Sequence, residues 1–409
     1  MLSTMSATMR NNQSGQYTLG FYCGILKITE SKSLYMAETQ TEPVFIPGKI
    51  FLGHHEAEIC YGGEADLHKH YTGCKKNPGH VNFIPVNDFN LGHLPSRYRD
   101  VIMLELIKAL SALTVLIKVK YTSLERPKSV PCFSGQYPFY NTRGSDVLRT
   151  GTGWVRSVFK FTESYNMGTC PCGKCQHSDT PSKVWGEVTV ETAAHVVFDV
   201  SETRQTRCVV GFDDNKSQVV SLDGWEVKWA DIEGDVCVFT CVSCDLELVD
   251  ELDKMRWHFE DLCGKVRDKY ERFHELDQIW RIVTDLRDNV INKYWRFFVL
   301  DKLAVIVSHP HGCPKQVSVG QWTHRHKREG MDKYTYTYTT CTCPGSSGAC
   351  VYMPRYEGSS SHPHSGSNSV GNYCGEDGNI GYVLSPCALK FVIIPGCVMI
   401  LLVLSLCLM

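Results

Sequence analysis

Apolar and polar positions along the chain change period several times, and each change predicts a different kind of element. Residues 1–16 are polar, show no period and read as disordered. Over residues 17–90, short apolar runs such as FYCGILKI and VFIPGKIFLG are interrupted by Gly and Pro, which predicts a few strands. Ser96 can cap a helix, and after it Val101, Leu104, Ile107, Leu110 and Leu113 recur at helical spacing. The pattern then turns β-rich over residues 114–122, and a domain boundary is expected at this switch, after residue 112. Further β-rich stretches lie at 151–158, 188–197, 207–212, 219–229 and 236–239. From about 246 to 298 the helical period returns. Leu248, Leu252, Met255, Phe259, Leu262, Val266 and Tyr270 mark an apolar face with charges between, which predicts a helical insertion, read as a hairpin packed on the strands. Strand character resumes at 303–307, 317–322 and in the alternating Tyr/Thr run 333–340. Residues 391–409 are apolar or small and long enough to cross a bilayer, so a C-terminal transmembrane segment is expected there, a buried strand being the alternative.

Composition narrows the class. With 409 residues, 43% hydrophobic and 21% charged, the chain has room for two domains and a sizeable core. A net charge of -2 supplies no basic excess to neutralise phosphates, which argues against nucleic acid as the main partner. Twenty cysteines accompany an N-terminus without the apolar core of a signal peptide. They therefore read as thiols or metal ligands in a reducing compartment, the cytoplasm, with 391–409 as a tail anchor to a membrane. Cys170, Cys172, Cys175 and His177 stand within eight residues and are the ligand types of tetrahedral zinc, so a structural zinc is expected on them. Cys341 and Cys343 are further candidates for that site. His54, His55, Cys60, His68, His70, Cys74 and His80 also fall close together, but their spacing matches no metal motif and they read as scattered surface residues.

Three segments carry candidate catalytic chemistry. Gly345-Ser346-Ser347-Gly348 follows a strand and sets hydroxyls in a sharp turn. A serine becomes a nucleophile only with a base to take its proton and N–H groups to stabilise the oxyanion. Thr192-Ala193-Ala194-His195 places an imidazole after an apolar strand. Asp235 heads the apolar run Val236-Cys237-Val238-Phe239, where a charge is costly unless hydrogen-bonded, as an acid accepting from a histidine would be. Asp231 is a competitor that lacks an apolar strand directly behind it.

In the order His, Asp, Ser, these segments resemble the motifs of the chymotrypsin-like (trypsin-fold) serine proteases. The resemblance covers roughly residues 113–385. It implies a mostly β fold of two six-stranded antiparallel barrels, with the helical insertion at about 246–298 and an N-terminal α+β extension over 17–112. It implies Ser347 as nucleophile, His195 as base and Asp235 as orienting acid, with the amides of Gly345 and Ser347 forming the oxyanion hole. Thr342, His362 and His364 correspond to the pocket for the residue before the cut. No Asp stands where trypsin-like enzymes bind Arg or Lys, and cleavage after Glu or Gln is the implied specificity. Such catalysis needs no cofactor, and its partners are protein or peptide substrates. The family's activating N-terminus is not evident in the sequence, and Val196 replaces a disulfide-bonded cysteine, as in an intracellular, disulfide-free branch. His309 and His311 fall to loops of the second barrel. The alternative function is a catalytically inactive protease-like scaffold or a zinc-binding interaction protein.

Overall fold

The computed structural model describes residues 10–11, 17–18, 54–129, 136–163, 168–284, 302–327, 333–354, 362–367 and 372–378. The chain divides at residue 45/46 into two units. In the first, β1 (Arg10–Asn11) pairs antiparallel with β2 (Tyr17–Thr18). The second holds everything else. It opens with β3 (His54–His55), β4 (Glu58–Cys60), α1 (Ala65–Thr72) and β5 (Ile84–Pro85), and continues with α2 (Val101–Leu113).

Asp100 caps α2 by accepting from the amides of Ile102 and Met103 at 2.9 and 3.1 Å, so the cap is not Ser96. The helix is apolar on most sides, and the phase expected from Val101 and Leu104 is rotated: Met103, Leu106, Ile107, Leu110 and Leu113 are buried, while Val101 is exposed. At Thr114 the chain passes directly into β6 (Thr114–Val119), which is followed by β7 (Leu148–Phe161), α3 (Gly173–Gln176) and β8 (Trp185–Thr192). Then come α4 (Val200–Thr203), β9 (Thr206–Val210), β10 (Val220–Asp231) and β11 (Val236–Ser243). Six of these strands close into an antiparallel barrel in the order β7-β6-β9-β10-β11-β8, with β8 returning to β7. Closure depends on the length of β7: its first half pairs β6 and its second half pairs β8, with a register shift between Val155 and Ser157. Val115, Ile117, Val155, Val190 and Phe239 are fully buried, each stabilising the fold by roughly 1.5–3 kcal/mol.

The helical period between about 246 and 298 produces α5 (Leu246–Thr284), one continuous helix through the described part of the segment rather than a hairpin. Leu248, Leu252, Phe259, Leu262, Val266 and Tyr270 are buried as their spacing predicts, and Met255 is not. The helix lies against α2, β7 and β8. Gly186 in β8 permits that approach, because a Cβ there would come within 2.3 Å of a Val249 methyl.

A second sheet follows: β12 (Leu303–Ser308), β13 (Gln316–Lys327), β14 (Lys333–Tyr338), β15 (Cys350–Tyr352), β16 (His362–Ser367) and β17 (Asn372–Gly378). Its order is β12-β15-β16-β17-β14-β13-β5, and β12 also pairs β13. Both assemblies draw on the N-terminal region, since β4 pairs β7, β5 pairs β13 and β3 pairs β16. Residues 54–112 are therefore built into the same folded unit as the strands after 113. The expected boundary at 112/113 is a turn inside that unit, not a division between domains. Among the described residues no helix is long and apolar enough to cross a membrane, and 391–409 lie outside the described residues.

Candidate functional site

Three loops meet between the barrel and the second sheet: the turn after β8, the turn before β11 and the loop between β14 and β15. The first carries His195. Its Nδ1 donates to the Asp235 carboxylate at 2.8 and 3.0 Å, and its backbone N–H donates to Asp235 Oδ1 at 2.9 Å. Asp235 takes a left-handed backbone (φ 55°), which an Asp tolerates better than most residues and which turns its side chain back toward His195. Asp231, the competing acid, instead accepts the Gly234 amide at 3.0 Å and shapes the turn. The carbonyl of His195 is held by Arg126 Nη2 at 3.0 Å, and Arg126 is paired with Glu202 at 2.6 Å, both fully buried.

The electrostatics follow from burial. Removal from water pushes His195 down to about 4, against the opposing pull of Asp235. Burial disfavours ionised Asp235, but the imidazoles of His195 and His55 outweigh it and hold the carboxyl below its usual range. His55 stacks on His195 with ring centroids 4.7 Å apart, its Nδ1 3.3 Å from Asp235.

The third loop decides between its two serines. Ser346 Oγ accepts from Ser308 Oγ at 3.0 Å and from the Cys343 amide at 3.2 Å, so it braces the loop. Ser347 Oγ instead donates to the Glu56 carbonyl. Gly348 (φ 86°) has no substitute, because a Cβ there would lie 2.0 Å from Thr192 Oγ1. Gly345 (φ 94°) is also hemmed in, since a Cβ there would lie 2.6 Å from the His311 amide nitrogen and 2.7 Å from the His309 carbonyl oxygen. From β7, Thr152 fastens the loop: its amide donates to Ser347 O and its hydroxyl to Gly345 O, each at 2.8 Å.

Glu56, which lies in no sequence motif, occupies the centre of this arrangement. Its carbonyl oxygen lies between the two catalytic candidates, accepting from Ser347 Oγ and lying 3.0 Å from His195 Nε2. Its N–H donates to Ser365 O at 3.1 Å, and β3 just before it pairs antiparallel with β16 through His55 and Gly366. Its buried carboxylate reaches His364 Nε2 at 3.2 Å, Thr342 Oγ1 at 3.3 Å and Lys76 Nζ. Tyr338 OH sets the His364 ring through Nδ1 at 2.5 Å. Lys76 also reaches Thr342 Oγ1 at 3.0 Å and Asn372 Oδ1 at 2.8 Å. Thr342 and His364 thus both contact the Glu56 carboxylate, and the side chain of His362 lies outside what the structure describes. No pattern in the sequence marked Glu56 or Lys76, since neither lies in a recognisable motif.

Four groups among the described residues have metal-ligand chemistry: His55 with His195 and Asp235, Glu58 with Cys60 and His70, and two sets of four that contain thiols. Cys170, Cys172 and Cys175 converge with Cys244, whose Sγ is 3.7 Å from that of Cys172. His177, expected as the fourth ligand, is exposed and stands outside the group, because α3 carries it past the thiols. Cys341 and Cys343 are not in this group either. Cys343 joins a second one with Cys74, His80 and His311. Two residues read from sequence as scattered over the surface, Cys74 and His80, are thereby drawn together with two from the second sheet's loops. His309 is buried beside that loop, its ring stacked on Phe212.

No family model matches the chain, and no curated protein sequence matches it. Among solved structures it is similar to the Rv3671c protease from M. tuberculosis in its active form, at 12% identity and TM-score 0.32, over 69% of this chain and 81% of that one. The inactive form of the same protease matches at 11% identity and TM-score 0.30, over 70% and 91%. Both similarities are distant, and the functional reading rests on the geometry of this chain.

Proposed function

We propose that the chain is a serine endopeptidase that cuts after glutamate, with Ser347 as nucleophile, His195 as base and Asp235 as orienting acid. The observation that carries this reading is the seating of Glu56. A peptide strand pairs with β16, its glutamate side chain enters the Thr342–His364–Lys76 pocket, and its carbonyl meets both Ser347 and His195. In this reading the two strand assemblies serve as the two barrels of the chymotrypsin-like proteases, with the site in the cleft between them.

The chemistry follows from the side chains present. Asp235 accepts from Nδ1, which leaves Nε2 to take the Ser347 proton as Oγ attacks the scissile carbonyl. The amides of Gly345 and Ser347 are the donors for the developing oxyanion, each worth a factor of about 10²–10³ in rate. His195 then returns its proton to the leaving amine, and water releases the acyl group by the same route. In the pocket, His364 and Thr342 donate to a carboxylate or an amide, and Lys76 adds a positive charge that favours Glu over Gln. A zinc ion on Cys170, Cys172, Cys175 and Cys244 would clip the segment before β8 to the end of β11 without touching the reaction.

Labelling with a fluorophosphonate probe and profiling on a peptide library test the assignment together. An adduct on Ser347 that is lost in Ser347→Ala, with cleavage confined to Glu and more weakly Gln, is the expected result. A folded chain that takes no label would leave a protease-like scaffold, and cleavage only after basic or aromatic residues would refute the pocket.

A further inference from the structure

The geometry points to a second metal site, a zinc held by Cys74, His80, His311 and Cys343 beside the nucleophile loop. In a tetrahedron with Zn–S bonds of about 2.3 Å and Zn–N bonds of about 2.0–2.1 Å, sulfurs stand about 3.8 Å apart and a sulfur stands about 3.6 Å from a nitrogen. Cys74 Sγ lies 3.6 Å from Cys343 Sγ, and Cys343 Sγ lies 3.5 Å from His80 Nε2. His311 completes the set: its Nε2 is buried with no hydrogen-bond partner, while its Nδ1 donates to Glu58 Oε2 at 2.6 Å. A carboxylate on the far nitrogen is what fixes the orientation of a metal-bound histidine. The thiols also receive N–H groups as thiolates do, Asn77 donating to Cys343 at 3.1 Å and to Cys74 at 3.4 Å. Both histidines hold left-handed backbones, φ 50° and 53°, a strain that a bound ion would offset.

The position gives the ion a task. Cys343 precedes Ser347 by four residues, His311 packs against Gly345, and Lys76 of the pocket lies between Cys74 and His80. One zinc would lock the nucleophile loop and the specificity lysine to a common frame. The test is metal content and cobalt spectra of the full chain. Two metal ions per chain are expected. Cobalt in a Cys172→Ala/Cys175→Ala variant should retain one ion with the band intensity of two thiolates, and adding His80→Ala should abolish it. Fluorophosphonate labelling should fall at least tenfold on chelation and return with zinc. A folded double variant that binds nothing overturns the site. If that variant does not fold, a single ion with a four-thiolate spectrum in the wild-type chain does the same.

A different observation carries a second inference, which rests on the proposed protease reading. We infer that the chain cuts itself between Glu56 and Ala57. Glu56 is not merely near the site: its N–H pairs with the β16 strand, its side chain meets His364, and its carbonyl oxygen accepts from Ser347 Oγ, the placement of a strand end just cut. Ser347 Oγ attacks the Glu56 carbonyl carbon and its proton passes to His195. The bond to the Ala57 nitrogen breaks as that nitrogen takes the proton. Water then opens the Ser347 ester, one of its protons passing through His195 back to Oγ, and the Glu56 carboxylic acid so formed gives its remaining proton to His195 or to solvent, leaving a carboxylate. The oxygen between Ser347 and His195 marks where an oxygen of that carboxylate would rest, since both side chains can donate to it once His195 is protonated. After the cut, β4 still holds the new N-terminus against β7.

Intact mass and N-terminal sequencing of the incubated full chain test this. The expected product begins at Ala57, forms at a rate independent of protein concentration, and is absent from Ser347→Ala. A wild-type chain that stays whole, while Glu56→Ala cleaves an added glutamyl peptide, refutes self-cleavage and leaves the protease reading standing. If neither cuts and neither takes the fluorophosphonate, both readings fall.

Discussion

Replacing Lys76 by methionine should collapse the preference for glutamate over glutamine. Lys76 Nζ reaches Glu56 Oε1, and Thr342 Oγ1 and Asn372 Oδ1 hold it there at 3.0 and 2.8 Å. The Glu56 side chain is 6% exposed and that of Lys76 is 33% exposed. A charge-assisted hydrogen bond contributes about 1.5–3 kcal/mol, and water at the lysine screens it toward the lower figure. About 1.5 kcal/mol corresponds to roughly a tenfold change in rate. A glutamine side chain keeps the contacts to Thr342 and His364 and has no charge to lose, so its rate should change by less than about threefold. The assay is kcat/KM on two peptides that differ only in Glu or Gln before the cut, with wild type and Lys76→Met. Competition from the chain's own segment reduces both rates equally and cancels in the ratio. A ratio that stays put, or a parallel fall for both peptides, would show that Lys76 does not contact the substrate side chain.

The remaining predictions concern the base, the frame and the thiol cluster. His195 must be neutral to act, so activity is present above its pKa and lost as pH falls through it. With Asp235, His55 and Arg126 around it and Glu56 seated, the self-cutting reaction should keep its acid limb near pH 4, whereas kcat/KM for added peptide should fall off nearer the ordinary histidine value of about 6.5. Coincident limbs in the two pH profiles would contradict the burial argument. Arg126→Met leaves Glu202 with Arg149, at 3.0 Å, and the amides of Ser123 and Phe198, and should destabilise the fold by about 3 kcal/mol in urea titration, at the low end for breaking a buried pair; a loss under about 1 kcal/mol would count against it. Cys244→Ser should remove one metal ion per chain by elemental analysis while His177→Ala removes none, and the reverse result would restore the local four-ligand set.

Much of this protein is written in short stretches of sequence. The strands of the barrel, the buried stripe of α5 and the placement of His195 and Asp235 at strand ends all follow from apolar periodicity, because burial imposes period on neighbours in the chain. Ser347 stands between glycines that its turn cannot do without, which made the segment visible. Local rules still left choices open at α2, where two capping candidates compete and an all-round apolar helix has no unique face. The decisive contacts are of another kind. Ser347 meets Glu56 across 291 positions, and Cys74 meets Cys343 across 269. Neither partner carries a mark of the other, since a glutamate in a pocket and a glutamate on a surface are the same residue. Sequence by itself determined the strands of the barrel, the helical period that begins at 246 and the catalytic candidates. Only the tertiary structure decided that β3 returns to the cleft, that Lys76 meets a carboxylate there, and which thiols and imidazoles converge, because those positions are set by closure of the barrel and the packing of two sheets around one site.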